Sequence, residues 1–208
     1  MADFALYEAL LHEPGVGWFL LERHVARLAG SAAHFGFRFD EAALRARLAS
    51  LARELPPEPR KVRLELSSDG ALFAESAALG ASSAVRAALA AEPVDSRDPF
   101  LRHKTSRRGV YERALAALPA GAGEVLLWNE RGELTETSSA NLVIELGARR
   151  VTPPLASGLL PGTFREELLS RGELEEGVVL RTDLARAGRV WAINSVRRWR
   201  EVEVEGRA

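Results

Sequence analysis

The stretch Glu124 to Leu169, EVLLWNERGELTETSSANLVIELGARRVTPPLASGLLPGTFREELL, constrains the fold more than any other part of the chain. Its apolar runs Val125–Trp128 and Leu142–Leu146 are short enough for buried strands. Asn129-Glu130-Arg131-Gly132 supplies turn chemistry between them, so the segment reads as strand, turn, strand. Glu136 then stands as a single carboxylate among the small hydroxyl residues Thr135, Thr137, Ser138 and Ser139, just before the second strand. A solvated sheet edge more often mixes in long charged side chains, so this placement marks a candidate site.

Pro153-Pro154 stops the sheet, and Ser157-Gly158-Leu159-Leu160-Pro161-Gly162-Thr163 makes a loop running into a helical pattern from Phe164 to Leu169. A loop that opens a helix presents unpaired backbone N–H groups at the positive end of the helix dipole, where anions bind. On this pattern alone Thr163 reads either as a simple N-cap or as part of an anion site.

At 208 residues, with 47% hydrophobic and 27% charged content, the chain can bury one large domain or two small ones. A formal net charge of −1 gives no electrostatic footprint for nucleic acid or an anionic membrane surface. There is no cysteine, hence no disulfide and no thiol chemistry. Asp3 and Glu8 stand where a signal peptide would be basic and then apolar, and no apolar run approaches membrane-spanning length, so the expected location is the cytoplasm.

Lysine usage is more informative. Lys and Arg together number 28 and lysine occurs only at Lys61 and Lys104, which leaves 26 arginines. Where Arg serves as the general cation, a retained Lys is a candidate for what guanidinium cannot do, which is to lose its proton and act as a nucleophile. Lys61 is the control: it borders an ordinary strand pattern, Val62–Leu66, so Lys104 reads either as chemical or as ordinary on this ground.

In chain order, Phe4–Leu11 is a strand or helix carrying one interior carboxylate, and Gly17–Leu21 a strand. From Glu22 a helix buries Val25, Leu28, Ala29 and Ala32, with Arg23 and Arg27 one turn apart. His24 and His34 read as partly buried or surface histidines, and no His/Asp/Glu set has metal-site spacing. Asp40 caps a helix from Glu41 to Glu54. A hairpin follows, Lys61–Leu66 and Ala71–Ala78 around Asp69-Gly70, then a strand or short helix over Ala84–Ala91. The proline-bracketed residues 93–99 are the expected linker between an N-terminal α+β domain, residues 1–92, and a C-terminal domain, residues 100–208. Beyond it come a helix through Tyr111, Leu115 and Leu118, another over Thr163–Arg171, a strand near Val178–Leu180, a short helix from Asp183, and a last strand, Val190–Ile193, with the polar turn Asn194-Ser195.

The ordered set of an Arg in HVARL, an isolated Lys, a Glu in ELTETSSANLVI, a Gly-Thr helix start in GLLPGTFREEL and a polar turn after a late strand resembles the class IV aminotransferase family. These are pyridoxal-phosphate enzymes, the branched-chain and D-amino-acid transaminases together with aminodeoxychorismate lyase, and the resemblance spans nearly the whole chain. FLLERHVARL, DPFLRHKTSRRGVYERA and WAINSVRRW look most like the lyase domains fused behind aminodeoxychorismate synthase component I. The resemblance implies a two-domain α+β fold with a small N-terminal domain and a larger mixed β/α domain. It implies that Lys104 holds pyridoxal phosphate covalently and shuttles the substrate proton, that Glu136 faces the pyridine nitrogen, and that Asn141 positions the site. Arg27 would bind the phosphate, with Gly162 and Thr163 as a second arm and Asn194 and Ser195 completing the cup.

Three departures favour the lyase. The family's opening strand and Gly-Asp-Gly loop have no counterpart before Phe4; Gly109 stands where transaminases often carry a tyrosine, with Tyr111 coming later; and Asn194–Trp199 lacks a Glu-x-x-Pro-like continuation. The expected activity is conversion of 4-amino-4-deoxychorismate to 4-aminobenzoate and pyruvate by a homodimer, functionally linked to the synthase. The alternatives are an amino-acid transaminase and a non-catalytic cofactor- or partner-binding module.

Overall fold

The computed structural model describes residues 3–80 and 84–206. Its α+β architecture divides into two compact units: Met1–Ala81 with His103–Arg107, and Ser82–Arg102 with Arg108–Ala208.

The first unit contains β1 (Leu6–Glu13), β2 (Gly17–Trp18), α1 (Leu21–Phe35), α2 (Glu41–Glu54), β3 (Arg60–Leu66) and β4 (Leu72–Ala78), with the antiparallel sheet ordered β2-β1-β3-β4. Strand alternation turns Leu6, Leu10, Leu64 and Leu66 onto Val25, Leu28 and Ala32 of α1 and Leu44 and Leu48 of α2. Asp40 caps α2 as expected, accepting from Ala43 N at 3.0 Å. The strand expected over Gly17–Leu21 shrinks to Gly17–Trp18, because Leu20 takes a left-handed φ of 54° and turns the chain into α1. Residues 103–107 run beside the start of β1: Tyr7 N donates to Lys104 O at 2.9 Å and Ser106 N to Ala5 O at 2.8 Å.

The second unit holds β5 (Val85–Leu89), α3 (Gly109–Ala116), β6 (Glu124–Trp128), β7 (Leu134–Thr137), β8 (Asn141–Leu146), β9 (Arg149–Thr152), α4 (Thr163–Ser170), β10 (Glu175–Glu176), β11 (Val190–Asn194) and β12 (Arg198–Val204). Its sheet is ordered β10-β9-β8-β11-β12-β5-β6-β7, and β7 also pairs with β8, so β8, β11, β12, β5, β6 and β7 close into a barrel. Alternation along β6 sends Leu126 to a core with Leu134, Leu142, Ile144 and Ala192, and Val125 and Leu127 to a second core with Leu101 and Tyr111.

Several expectations are corrected. Residues 93–99 belong to this unit, where Val94 bridges to Asn129 and Ser96 donates from N and Oγ to Glu130 at 2.9 and 2.7 Å. Of the strand or short helix expected over Ala84–Ala91 the strand forms, as β5, but it pairs with β6 and β12 of this unit rather than belonging to the N-terminal domain. No strand forms over Val178–Leu180; the extended pair is Glu175–Glu176, and Asp183 accepts from Leu180 N at 2.9 Å to start a 3-10 turn over Arg181–Arg186. The unexpected β12 alternates charged residues with few apolar ones, and only Val202 is buried in the core with Val204 partly buried against it, so its hydrophobic signal is faint.

Candidate functional site

Glu136 lies on a strand of its own, β7, rather than just before a strand, and the Ser138–Ala140 turn carries the chain directly into β8. The register pair of β7 with β8, which closes the barrel, is Glu136↔Asn141. Two candidate residues are thus placed side by side by the topology itself. Glu136 is 4% exposed. Its Oε1 accepts from the Tyr111 hydroxyl at 2.7 Å, and its Oε2 from Leu160 N at 3.3 Å and Asn141 Nδ2 at 3.4 Å.

The same Asn141 amide donates to Leu160 O at 2.8 Å, tying the loop before α4 to β8. Asn129, fully buried, holds the other end of that loop through Ser157 O at 2.9 Å. Gly162, not Thr163, is the N-cap of α4, and no side chain caps this helix. The reason is steric: a Cβ at Gly162 would stand 1.8 Å from Asn141 Oδ1. Thr163 is therefore the first helical residue, 2% exposed. The helix opening depends on Asn141 and so on the strand pair that holds Glu136.

The Asn194-Ser195 turn joins this group through the turn between β7 and β8. Asn194 Nδ2 donates to Ser139 O at 3.2 Å, while its Oδ1 accepts from Val196 N and Arg197 N at 3.0 and 2.7 Å. This is an Asx turn, so the Asn194 amide shapes the loop that carries Ser195. Glu124 secures the β7–β8 turn from below, accepting from Ser138 N at 3.1 Å, Ser138 Oγ at 2.5 Å and Ser139 Oγ at 3.0 Å. Arg108 donates to Ser138 O at 2.6 Å with its guanidinium carbon 4.5 Å from the Tyr111 ring centre.

In the first unit, Arg27 projects from α1 onto Glu8 of β1. Its Nε and Nη2 donate to the two Glu8 oxygens at 2.9 and 2.5 Å, and His24 Nδ1 donates to Oε2 at 2.7 Å. Glu8 is 1% exposed. Burial pushes its pKa up, but Arg27 and then His24 outweigh that and hold it at about 2. Lys104 stands with its Nζ 4.7 Å from the centre of the Tyr7 ring, over which Arg63 also lies at 4.0 Å. Adjacent strand residues face opposite ways, so Glu8 serves Arg27 on one side of β1 and Tyr7 serves Lys104 on the other.

The second unit thus gathers Glu136, Asn141, Gly162, Thr163, Asn194 and Ser195, while Arg27 and Lys104 belong to the first. Sequence reasoning gave no site role to Glu8, His24, Tyr111 or Glu124. A compositional signal existed for one: the chain has two tyrosines, and each lies against a candidate residue. Glu8 was visible as a carboxylate inside an apolar strand. Among the described residues no group of three or more His, Asp or Glu side chains could hold a metal ion, and no helix is long and apolar enough to cross a membrane.

In the second unit a helix start whose N-cap lacks a side chain and a hydroxyl-bearing turn each suit a compact anion, and in the first unit the Arg27 guanidinium carries the matching charge. A protonated heterocyclic nitrogen fits the buried carboxylate, and a carbonyl carbon fits the lysine. The sequence profile of the family described as amino-transferase class IV matches residues 5–204. A protein of Schizosaccharomyces pombe provisionally assigned as an aminodeoxychorismate lyase is 27% identical over 208 residues, spanning 95% of this chain and 88% of that protein. The crystal structure of a protein from Mesorhizobium loti, provisionally assigned as an amino-acid aminotransferase, is 37% identical with a TM-score of 0.89, over 97% of this chain and 100% of that one. The PLP-bound form of an aminotransferase from Mycobacterium tuberculosis, named as hypothetical, shares the fold at 20% identity with a TM-score of 0.82, over 98% of this chain and 82% of that one.

Proposed function

The chain belongs to the class IV aminotransferase family, whose members are pyridoxal-phosphate-dependent enzymes, and from that premise we propose that it is a lyase converting 4-amino-4-deoxychorismate to 4-aminobenzoate and pyruvate. The observation that carries the cofactor assignment is the buried Glu136 carboxylate with Tyr111, Asn141 and Leu160 N directed at it. The substrate assignment draws its support from the likeness, over 95% of this chain, to the Schizosaccharomyces pombe protein provisionally assigned as such a lyase.

Bound pyridoxal phosphate supplies an electron sink that stabilises negative charge at the carbon bearing the substrate amine. Lys104 would hold the cofactor at its carbonyl carbon, would be released when the substrate amine takes its place there, and as the freed amine would accept the proton from the amine-bearing ring carbon. Enolpyruvate leaves from the adjacent carbon and is protonated to pyruvate, and aromatisation of the ring drives the step. Glu136 keeps the pyridine nitrogen protonated; Arg27, the α4 opening at Gly162 and Thr163, and Ser195 bind the phosphate, with Asn194 shaping the last of these. The enzyme works as a cytoplasmic homodimer in folate precursor synthesis, consuming the product of aminodeoxychorismate synthase.

The test is 4-aminobenzoate release from 4-amino-4-deoxychorismate by protein loaded with pyridoxal phosphate, with borohydride trapping of the cofactor on Lys104 and Lys104→Ala as control. Release by the wild type, absent in the variant, is the expected result. Trapping without release, together with transfer from alanine or a branched-chain amino acid to 2-oxoglutarate, would establish the second reading, an amino-acid transaminase, which the likeness to the Mesorhizobium loti protein favours. Neither trapping nor release would leave a non-catalytic module.

A further inference from the structure

Glu8 occupies a position that core packing alone would give to an apolar residue. On the same face of β1 its neighbours Leu6 and Leu10 are 0% and 1% exposed. A carboxylate buried there is costly unless it is paired and hydrogen-bonded, and a buried ion pair contributes less stability than apolar side chains filling the same space. The charge therefore points to a role beyond holding the fold, and its contacts define that role. Both Glu8 oxygens are engaged by Arg27, through Nε at 2.9 Å and Nη2 at 2.5 Å, and His24 fixes Oε2 at 2.7 Å from one turn earlier on α1. Bidentate pairing sets the plane as well as the place of a guanidinium.

We propose that Glu8, steadied by His24, is a positioning residue for the cofactor phosphate: it orients Arg27 before the phosphate arrives. This rests on the assignment of Arg27 to the phosphate. An arginine left to itself loses rotamer freedom when it closes on a ligand, and one already docked along its Nε–Nη2 edge does not, so docking raises affinity for the group Arg27 meets and for no other part of the cofactor.

The experiment compares pyridoxal phosphate with pyridoxal, which lacks the phosphate, on the full chain, measuring the dissociation constant of each and borohydride trapping on Lys104. Glu8→Gln removes the charge and half of the fork. Glu8→Asp keeps the charge and withdraws the fork by one methylene, giving a variant that retains the ion pair should Glu8→Gln not fold. The expected result is a roughly tenfold weaker constant for pyridoxal phosphate and an unchanged constant for pyridoxal in each variant that folds. Equal losses for both ligands, or a wild-type constant for pyridoxal phosphate in Glu8→Asp, would make the Glu8 cluster merely structural and overturn the proposal. If the wild-type protein traps no cofactor on Lys104, the functional reading itself fails; trapping with no difference between the two ligands sinks only the role of Glu8.

Discussion

The hydroxyl of Tyr111 donates a 2.7 Å hydrogen bond to Oε1 of Glu136, joining α3 to the strand that closes the barrel. The ring of Tyr111 belongs to the core formed with Leu101, Val125 and Leu127. One side chain therefore anchors a helix through its ring and orients a buried charge through its oxygen.

Tyr111→Phe separates the two roles. The ring and its packing remain, while Glu136 loses a donor to one oxygen, which for a charged acceptor costs about 1.5–3 kcal/mol. The expected outcome is a lower urea midpoint at unchanged m-value, with a further loss of pyridoxal phosphate affinity. A cofactor-binding titration read alongside the denaturation curve checks both; an unchanged midpoint would show that the hydrogen bond adds nothing to the fold.

At Gly162 the structure tolerates no side chain. A Cβ would meet Asn141 Oδ1 at 1.8 Å, and Asn141 cannot swing away without giving up Leu160 O at 2.8 Å and its place beside Glu136. Gly162→Ala should lower stability by about 1–3 kcal/mol and weaken cofactor binding. Gly30→Ala is the contrasting substitution: nothing lies within 4 Å of its added Cβ inside α1, and about 0.5–1 kcal/mol of stabilisation is expected from helix propensity. Thermal unfolding of the two variants should move in opposite directions.

Glu124→Gln tests the support beneath the β7–β8 turn. The carboxylate accepts from Ser138 N, Ser138 Oγ and Ser139 Oγ, and Arg200 lies 3.4 Å from its Oε2. An amide keeps the size but offers one acceptor oxygen, so a backbone or hydroxyl donor loses its partner. Faster amide exchange across residues 138–140 is expected; protection equal to wild type would show that the turn is held from elsewhere.

The candidate site residues stood out in the sequence where their chemistry was unusual for their surroundings: a lone Glu136 among hydroxyls, Lys104 against an arginine bias, Gly162 before a helix. Alternation and caps revealed β3, β4 and α2 because one face of each is buried and each has a local stop signal. The division of the chain was not legible. His103–Arg107 joins the first unit through long-range strand hydrogen bonds to Ala5 and Tyr7, and no local pattern announces a pairing across about a hundred residues. The partner of Tyr111 was not legible for a similar reason: Glu136 is 25 residues away, and α3 meets it only in the tertiary packing.

Acid should expose what the Glu8 cluster contributes to the fold. The Glu8 carboxyl lies at about 2 in the folded protein, against 4.5 for an ordinary glutamate, with Arg27 and His24 overcoming the opposing effect of burial. Because the folded pKa is depressed, the ionised carboxylate stabilises the protein at pH values above about 4.5. That contribution shrinks as pH falls through the window from 4.5 to 2, since the unfolded chain takes up the proton first. A shift of this size corresponds to roughly 3 kcal/mol at neutral pH. Glu8→Gln should therefore be less stable than wild type by about that amount at pH 7, and the gap should narrow steadily below pH 4.5. Other carboxylates, including Glu133, which Arg131 and neighbouring hydrogen bonds also hold at about 2, titrate in both proteins and cancel from the difference. Urea denaturation of the pair at pH 7, 4.5 and 3 measures it. A gap that stayed constant across these values would mean that the Glu8 charge does not stabilise the fold through Arg27 and His24.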